Sequence, residues 1–331
     1  MSFTNTFDTT NTGSAVSNRE DLTDVLTILA PEETPILSSA DKKKASSTFV
    51  EWTVDSLAAP NTAGISEGAD VTAFTDQFAG RAKLGNRVQK FRRDYMVSDM
   101  QEAVDSVGPA KIAQAEAKAI RELKRDIEAT LASANTQAVE NGAGTANALG
   151  GLGDWIQNAA GSGNVPAAFQ TPAASVVDAG ATLSESEFNG LITSIFGVTG
   201  STNNLMLIAD TTLRSDISDF ARTTASATDN VRSVNYDGNS GEIKLSVDLY
   251  QSDHGVVSIV NGNPDCMPTQ AGTAGMMGYL VNPEYYGIHE LIPMGSTRLP
   301  NLGGGERGFV DCALTLGVYH PGAHGKIVST S

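Results

Sequence analysis

The chain of 331 residues carries 38 acidic and 22 basic side chains, giving a formal net charge of −16. This length can bury a substantial core and predicts two lobes. The acidic balance argues against a surface whose main task is to grip nucleic acid, because such binding depends on lysine and arginine at phosphates; it is typical of a protein that stays soluble at high concentration or repels polyanions.

Residues 1–45 predict an N-terminal arm with one short helix and two proline bends. Residues 1–17 are polar, and the following helix has its apolar side chains on one face: Leu22, Val25, Leu26 and Leu29. Pro31 ends this helix and Pro35 fixes a second bend, because the residue before a proline is pushed out of the helical region. Lys42–Lys44 fits a solvated turn as well as it fits a contact with DNA or an acidic neighbour.

Residues 46–97 predict a long two-stranded arm, the extended loop. Phe49–Asp55 alternates between apolar and polar side chains, and a second alternating run returns over Leu84–Val97. A period of two is typical of a β-strand. An isolated two-stranded ribbon is marginal in water, so something else must cover this one. We expect the cover to be another copy of the same protein.

The two limbs of the extended loop carry opposite charges. The outgoing limb, 45–80, contains acidic side chains and no lysine or arginine, whereas the returning limb, 81–93, is basic and contains no acid. Pairing with acidic limbs explains the basic limb better than nucleic acid does. The acidic residues are Glu51, Asp55, Glu67, Asp70 and Asp76, and the basic residues are Arg81, Lys83, Arg87, Lys90, Arg92 and Arg93.

A long helix is predicted over residues 109–134, after a short helix that Ser98–Gln101 opens as a capping box. One apolar stripe contains Ile112, Ile120, Leu123, Ile127 and Leu131. The polar side carries two pairs at four-residue spacing, Lys118–Glu122 and Lys124–Glu128. Glu116 interrupts the stripe and is predicted to be a carboxylate at its edge, without a catalytic role.

The rest of the chain predicts a loop-rich stretch over 135–182 and then a compact α/β lobe. Ser184–Glu187 forms a second capping box before a helix, and Asp210 begins another helix after a short apolar strand. The predicted strands of this part are residues 205–209, 243–250, 256–260, 278–281, 286–291 and 309–319.

The sequence contains no motif for catalysis or cofactor binding. No serine lies in a Gly-x-Ser-x-Gly elbow, and Gly303–Gly308 lacks the Lys-Ser/Thr ending of a phosphate loop. His320 and His324 are four residues apart, but the proline and glycine between them exclude a helix that would align two metal ligands. Cys266 and Cys312 fit neither a disulfide framework nor a metal site. We therefore predict no catalytic residue, no cofactor and no metal, and a protein that is not an enzyme.

Seven short stretches, spread in order over nearly the whole chain, carry a family resemblance. They are Asn18-Arg-Glu-Asp-Leu22, Pro31-Glu-Glu-Thr-Pro35, Glu51-Trp52, Glu122-Leu-Lys-Arg-Asp-Ile-Glu128, Gly151-Leu-Gly-Asp-Trp-Ile156, Val247-Asp-Leu-Tyr-Gln-Ser-Asp253 and Ala323-His-Gly-Lys-Ile-Val328. The ordered set resembles the major capsid proteins of tailed bacteriophages with the Hong Kong 97 fold. Within that group it is nearest the subfamily typified by an elongated-head podovirus.

The resemblance implies an α+β fold with four regions. Residues 1–45 would be the N-terminal arm and residues 46–97 the extended β-hairpin loop. Residues 98–150 and 301–331 would form a peripheral domain around a long spine helix. Residues 151–300 would form an axial α/β domain that meets its copies at five- and six-fold centres.

The function that the resemblance implies is self-assembly into the icosahedral or elongated head shell of a tailed phage. The shell would enclose double-stranded DNA without sequence-specific binding. The expected partners are many copies of the chain in hexamers and pentamers, a separate scaffolding protein, a portal and, as a further candidate, a decoration protein. The expected location is the virion, after assembly in the host cytoplasm, and no segment approaches the eighteen or so apolar residues of a membrane span. The alternatives are the shell of an encapsulin-like cellular nanocompartment and an oligomeric enzyme.

Ten side chains of the extended loop are predicted to contact neighbouring copies. Trp52 and Phe91 would supply apolar contacts. An exposed ion pair contributes little by itself, but a closed shell holds every copy at several interfaces at once. The charged contact residues would be Glu51, Asp55, Arg81, Lys83, Arg87, Lys90, Arg92 and Arg93.

Overall fold

The computed structural model describes residues 33–104, 111–142, 144–161, 164–180, 182–220, 248–267 and 277–329. The helix predicted after residue 17 lies outside the described residues. In chain order the strands are β1 (Asp41–Lys44), β2 (Phe49–Val54), β3 (Ala82–Arg87), β4 (Gln89–Val97), β5 (Val176–Asp178), β6 (Leu205–Ala209), β7 (Leu249–Ser252), β8 (Gly255–Asn261), β9 (Met277–Val281), β10 (Tyr286–Leu299), β11 (Glu306–Val318) and β12 (Gly325–Val328). The α-helices are α1 (Pro35–Ser39), α2 (Asp99–Ala103), α3 (Lys111–Ala132), α4 (Leu152–Trp155), α5 (Glu185–Thr199) and α6 (Thr211–Phe220).

The first sheet has four strands in the order β1-β10-β11-β4. Strands β10, β11 and β4 are antiparallel, and β1 lies parallel to β10 at the edge. Helix α3 packs against β4 and β11 and buries Leu123, Ile127 and Leu131, while Ile112 and Ile120 are partly buried on the same core. The predicted apolar stripe is therefore confirmed, because a surface helix is held by the one face that it buries.

The second sheet has six strands in the order β5-β12-β9-β6-β8-β7. Helices α5 and α6 bury Phe188, Leu191 and Leu213 in its core. The capping box predicted for α5 is confirmed: Ser184 Oγ accepts from the Glu187 amide at 3.3 Å, and Glu187 Oε2 accepts from the Ser184 amide at 3.0 Å. Both donors would otherwise lack a partner in the first turn.

The chain crosses between the two sheets three times, once through the long segment 98–175 and twice through a short connection. Asn282–Tyr285 joins β9 to β10, and Tyr319–His324 joins β11 to β12. The buried His324 ring links the two connections, because its Nδ1 accepts from the Asn282 amide at 3.2 Å and its Nε2 lies 3.3 Å from the Tyr285 carbonyl. The Tyr319 amide also donates to the Tyr285 carbonyl, at 2.8 Å.

Strand membership does not follow the predicted domain ranges at two places. Strand β10 lies in the sheet of four, although residues 151–300 were assigned to one domain, and β12 lies in the sheet of six, although residues 301–331 were assigned to the other. Each strand is placed by its hydrogen-bonding partners, which a local apolar pattern does not identify. The four domain ranges stay a prediction.

The structure resolves one alternative that the sequence left open and contradicts one prediction. The triple lysine is an edge strand, β1, whose Lys42 lies 3.7 Å from Glu290 and whose Lys43 ammonium lies 4.1 Å from the centre of the Tyr319 ring. The returning run of the extended loop is two strands, since β3 pairs with β2 whereas β4 pairs with β11. Buried Val88 separates them.

Candidate functional site

The β2–β3 hairpin is fixed at its base to the core of its own chain. The Trp52 ring centre lies 5.6 Å from that of Trp155 and 6.1 Å from that of Tyr319. Leu84, which lies opposite Trp52 in the ladder, is fully buried, and so is most of Val54. Aromatic contacts of this kind combine apolar burial with favourable ring geometry. The hairpin therefore leaves the body of the protein in a defined direction.

Asn86 ties the same hairpin to two other segments. Its side chain is fully buried. The Nδ2 group donates to the carbonyls of Gly150, at 3.0 Å, and Leu316, at 2.8 Å, while Oδ1 accepts from the amides of Gly150 and Arg87, both at 2.9 Å. Buried polar groups are costly unless they are hydrogen-bonded, and this amide satisfies three backbone groups outside its own strand. Sequence patterns gave no sign of this role.

Beyond the hairpin, residues 55–81 form the loop tip, which contains no helix or strand and is exposed at every position. Large apolar side chains project from it, and Phe74 is 91% exposed. Single exposed apolar side chains are normal on a protein surface, but several in one segment indicate an interaction site. These residues were missed by pattern reasoning, since they follow neither a helical nor a strand period: Leu57, Ile65, Val71, Phe74 and Phe78.

Two of the predicted charge pairs form within one chain. Arg81 Nε lies 2.7 Å from Asp55 Oδ2, and Lys83 Nζ lies 2.9 Å from Glu51 Oε2, in both cases across the hairpin. The hydrogen bond from Arg81 lowers the pKa of the Asp55 carboxyl. Two further acids of the loop tip, at positions 67 and 70, form no ion pair with another described residue. The tip beyond the hairpin is thus apolar and acidic.

Other predicted contact residues belong to β4 and make contacts in the body of the chain. Phe91 is buried in the main core. Lys90 Nζ lies 2.9 Å from Asp311, and Arg93 makes two hydrogen bonds to Asp126, at 2.6 and 2.7 Å. Such bidentate pairs are the best ordered of surface ion pairs. These residues support the sheet and helix α3 from which the hairpin extends.

The last two predicted contact residues keep accessible cations. Arg92 is exposed on β4, and the Arg87 guanidinium lies 4.9 Å from the centre of the Phe49 ring. A single chain does not test contacts between copies. The inter-copy role of all ten residues therefore stays a prediction.

A buried carboxylate holds the N-terminal segment on helix α3. Glu128 Oε1 accepts from the Ile36 amide at 2.8 Å, and Oε2 accepts from the Leu37 amide at 2.9 Å. The predicted surface pair Lys124–Glu128 is therefore wrong, because Glu128 faces the core and caps the first turn of α1. The other pair is present, with Lys118 3.8 Å from Glu122.

Burial raises the pKa of Glu128 to about 7, against the smaller lowering effect of the two amide hydrogen bonds. Two titratable neighbours keep their protons in this range, because burial raises the pKa of Tyr286 to about 12 and also raises the pKa of the Cys266 thiol. The proton on Glu128 thus stabilises the folded state fully below the carboxyl's unfolded pKa. This contribution is lost as the pH rises through about 7.

Glu128→Gln is expected to remove this pH dependence. The quantity to compare is the difference in free energy of unfolding between the unmodified chain and Glu128→Gln. This difference should fall by about 3 kcal/mol between pH 4.5 and 8, because each unit of pKa shift corresponds to about 1.4 kcal/mol. Urea unfolding of the dissociated chain at both pH values measures this. Glu122→Gln, on the exposed side of α3, is the control and should show no such fall. A difference that does not change with pH would mean that Glu128 ionises normally.

The remaining candidate groups have structural partners. The pKa of Glu116 is lowered by the Ser296 hydroxyl first and then by Arg298, which lies 3.5 Å away; this carboxylate is at the edge of the stripe, as predicted. Both nitrogens of His324 are used by the connections described above. Cys266 and Cys312 are free and buried. Among the described residues no group of three His, Cys, Asp or Glu side chains could hold a metal ion, and none of the described helices has the length and apolar content to cross a membrane.

Comparison with known proteins gives a family match and a shared fold. A family model described as SU10 major capsid protein matches residues 3–331. The capsid of Cyanophage P-SCSP1u has a TM-score of 0.66 at 12% identity, covering 99% of this chain and 99% of that chain. The capsid asymmetric unit of Cyanophage A-1(L) has a TM-score of 0.64 at 14% identity, covering 97% and 99%. The SrpI encapsulin complex from Synechococcus elongatus PCC 7942 has a TM-score of 0.53 at 10% identity, covering 96% and 93%. No curated protein sequence matches the chain.

Proposed function

The chain belongs to the SU10 major capsid protein family, and from this premise we propose how it builds the head shell of a tailed phage. Its α+β fold is the Hong Kong 97 fold predicted from the sequence, and its role is that of a major capsid protein. The nearer assignment, to the subfamily of an elongated-head podovirus, stays a prediction.

The observation that carries the assembly mechanism is the loop tip. Residues 55–81 keep most of the surface of five large apolar side chains exposed, whereas the base of the same hairpin is held by Trp52 and Asn86. A fixed base with an uncovered apolar tip suits insertion into a neighbouring copy. The ion pairs Arg81–Asp55 and Lys83–Glu51 stiffen the hairpin, so less conformational freedom is lost when copies associate.

The finer parts of the proposal concern partners and place. Copies would be arranged as hexamers and pentamers, with a separate scaffolding protein, a portal and a decoration protein as further partners, and assembly would occur in the host cytoplasm. The four regions, 1–45, 46–97, 98–150 with 301–331, and 151–300, would be the arm, the extended loop, the peripheral domain and the axial domain. The net charge of −16 would keep enclosed double-stranded DNA from adhering to the wall. No enzymatic activity is proposed.

A second candidate is the shell of a cellular nanocompartment, which the fold shared with the SrpI encapsulin complex favours. Electron microscopy of the purified assembled protein separates the candidates. Large icosahedral or elongated shells are expected. Small shells would favour the nanocompartment, and discrete oligomers at every protein concentration would overturn both and favour an oligomeric enzyme.

A further inference from the structure

A small apolar pocket lies where helix α3 meets the sheet of four. Its volume is about 130 Å³. We call it the α3 pocket. Ile292 and Met294 keep 42% and 36% of their surface exposed, so the pocket opens to solvent. The apolar lining residues are Leu37, Ile127, Ile292, Met294, Cys312 and Leu314.

The size and lining of the α3 pocket suit one aromatic ring. An apolar cavity of about 150 Å³ binds benzene, so about 130 Å³ is enough for a single ring or a branched aliphatic side chain. In protein interfaces, a few side chains that fill well-packed pockets contribute most of the free energy of association. The ligand expected here is thus one projecting apolar side chain.

The charged residues of the pocket indicate the sign of the charge that the partner carries. Lys42, Lys124 and Glu290 complete the lining. Lys42 pairs with Glu290 at 3.7 Å, whereas Lys124 is exposed and forms no ion pair with another described residue. A partner that brings an acid beside its apolar side chain would therefore meet an available cation.

Phe74 of the loop tip has these properties. Its ring is 91% exposed, so it does not occupy a pocket of its own chain. Asp76 is two residues away, and residues 57–80 contain no lysine or arginine. Phe78 is a poorer candidate, because the Arg81 guanidinium already lies 4.0 Å from the centre of its ring.

We propose that the α3 pocket of one copy receives Phe74 of a second copy, with Lys124 facing Asp76 of that second copy. The inference rests on the proposed function, since it names the surface that receives the loop tip in the shell. Each copy then gives one ring and receives one. Contacts of this kind run from copy to copy around a ring, because donor and receptor are different surfaces of the same chain.

Disulfide trapping tests the geometry. A chain with Phe74→Cys and Met294→Cys, assembled and then oxidised, is expected to give a ladder of covalent multimers on a non-reducing denaturing gel. The matched pair Phe78→Cys with Met294→Cys should give little ladder. Because Cys312 also lines the pocket, a ladder from Phe74→Cys alone that Cys312→Ala abolishes supports the proposal as well. Shells without a ladder would overturn the proposal and leave the capsid function intact; if the unmodified chain forms no shells, the proposed function itself fails.

Two further variants keep the proposal testable if the cysteines disturb assembly. Phe74→Ala is expected to lower the fraction of protein in shells by about tenfold or more at matched concentration, and Phe78→Ala by much less. Asp76→Lys and Lys124→Glu should each weaken assembly, and the chain with both changes should recover it. Equal effects of the two alanine variants would mean that Phe74 is not the side chain that the pocket receives. No recovery in the double exchange would mean that Lys124 does not face Asp76, because the loop tip binds elsewhere or because residues 1–32 or a scaffolding protein fill the pocket. Either result would overturn the proposal.

Discussion

A chain that lacks residues 57–80 is expected to fold and to form no shells. These residues are exposed throughout and contribute nothing to either apolar core, so their loss should leave the stability of the body nearly unchanged. They carry all five large apolar side chains of the loop tip. Under the proposed mechanism their loss removes the apolar contact of each copy with its neighbour, and assembly loses this contact at every copy.

The geometry of the hairpin allows this deletion. Val54 pairs with Ala82, and a Cβ atom on Gly80 would lie 3.2 Å from Ser56 Oγ, so the two ends of the deleted segment are adjacent. Joining Ser56 to Arg81 leaves a connection of three residues, a normal length for a β-hairpin. Circular dichroism and thermal melting would report folding, and electron microscopy would report assembly.

Two full-length variants separate apolar contact from simple loss of length. Replacing the five large apolar side chains of the loop tip by serine should also abolish shells. Thr62, Thr72 and Thr75 changed to alanine should leave shell formation unchanged. Normal shells from the deletion variant would refute the proposed role of the loop.

Asn86→Ala is expected to lower the free energy of unfolding by about 4 kcal/mol. The substitution leaves the amide and carbonyl of Gly150 and the carbonyl of Leu316 without their present partner, and each buried group left unsatisfied costs about 1–3 kcal/mol. Urea unfolding of the dissociated chain measures the loss. The hairpin should also be held less firmly, so assembly at low protein concentration should weaken.

Asn61→Ala is the matched control for Asn86→Ala. Asn61 lies in the exposed loop tip, and its Oδ1 accepts only a local hydrogen bond from the Ala63 amide, at 2.9 Å. Its substitution should change the free energy of unfolding by less than about 0.5 kcal/mol. A loss below about 1 kcal/mol for Asn86→Ala would show that other donors and acceptors replace the amide.

The elements predicted well are those whose signals are local. The apolar stripe of α3 and the capping box at Ser184 depend on residues within a few turns of one another. Strand β2 has its period of two within six residues. In each case the sequence window contains all the groups that determine the conformation.

The elements predicted poorly depend on partners that are distant in the sequence. A run of alternating residues over 84–97 has the same period whether it forms one strand or two. Strand β4 belongs to the sheet of four because it pairs with β11. The polar side chains of Lys42–Lys44 do not indicate a strand, because this edge strand is placed by the pairing of its backbone with β10. Glu128 has the four-residue spacing from Lys124 that is typical of a surface ion pair. It is buried instead, because two amide groups about ninety residues earlier in the chain donate hydrogen bonds to it.

The candidate site was predicted in part. The opposite charges of the two limbs do form ion pairs, but Arg81–Asp55 and Lys83–Glu51 lie within one hairpin. Across a two-stranded ribbon the nearest opposite charge is on the other strand, so intrachain pairing competes with pairing between copies. The apolar side chains of the tip have no period, and only their exposure in the folded chain identifies them.

The paired connections between the two sheets restrict where the subunit can bend. A hinge needs a few residues whose backbone torsions can change freely, but the segments at 282–285 and 319–324 are short and linked to each other through the buried His324 ring and the Tyr285 carbonyl. Burial lowers the pKa of His324 to about 4, so the ring stays neutral near pH 7 and this link is not weakened by protonation. The two short connections therefore oppose bending between the sheets, whereas the hairpin beyond its base is exposed at every position and is the part of the subunit that yields at lower energetic cost.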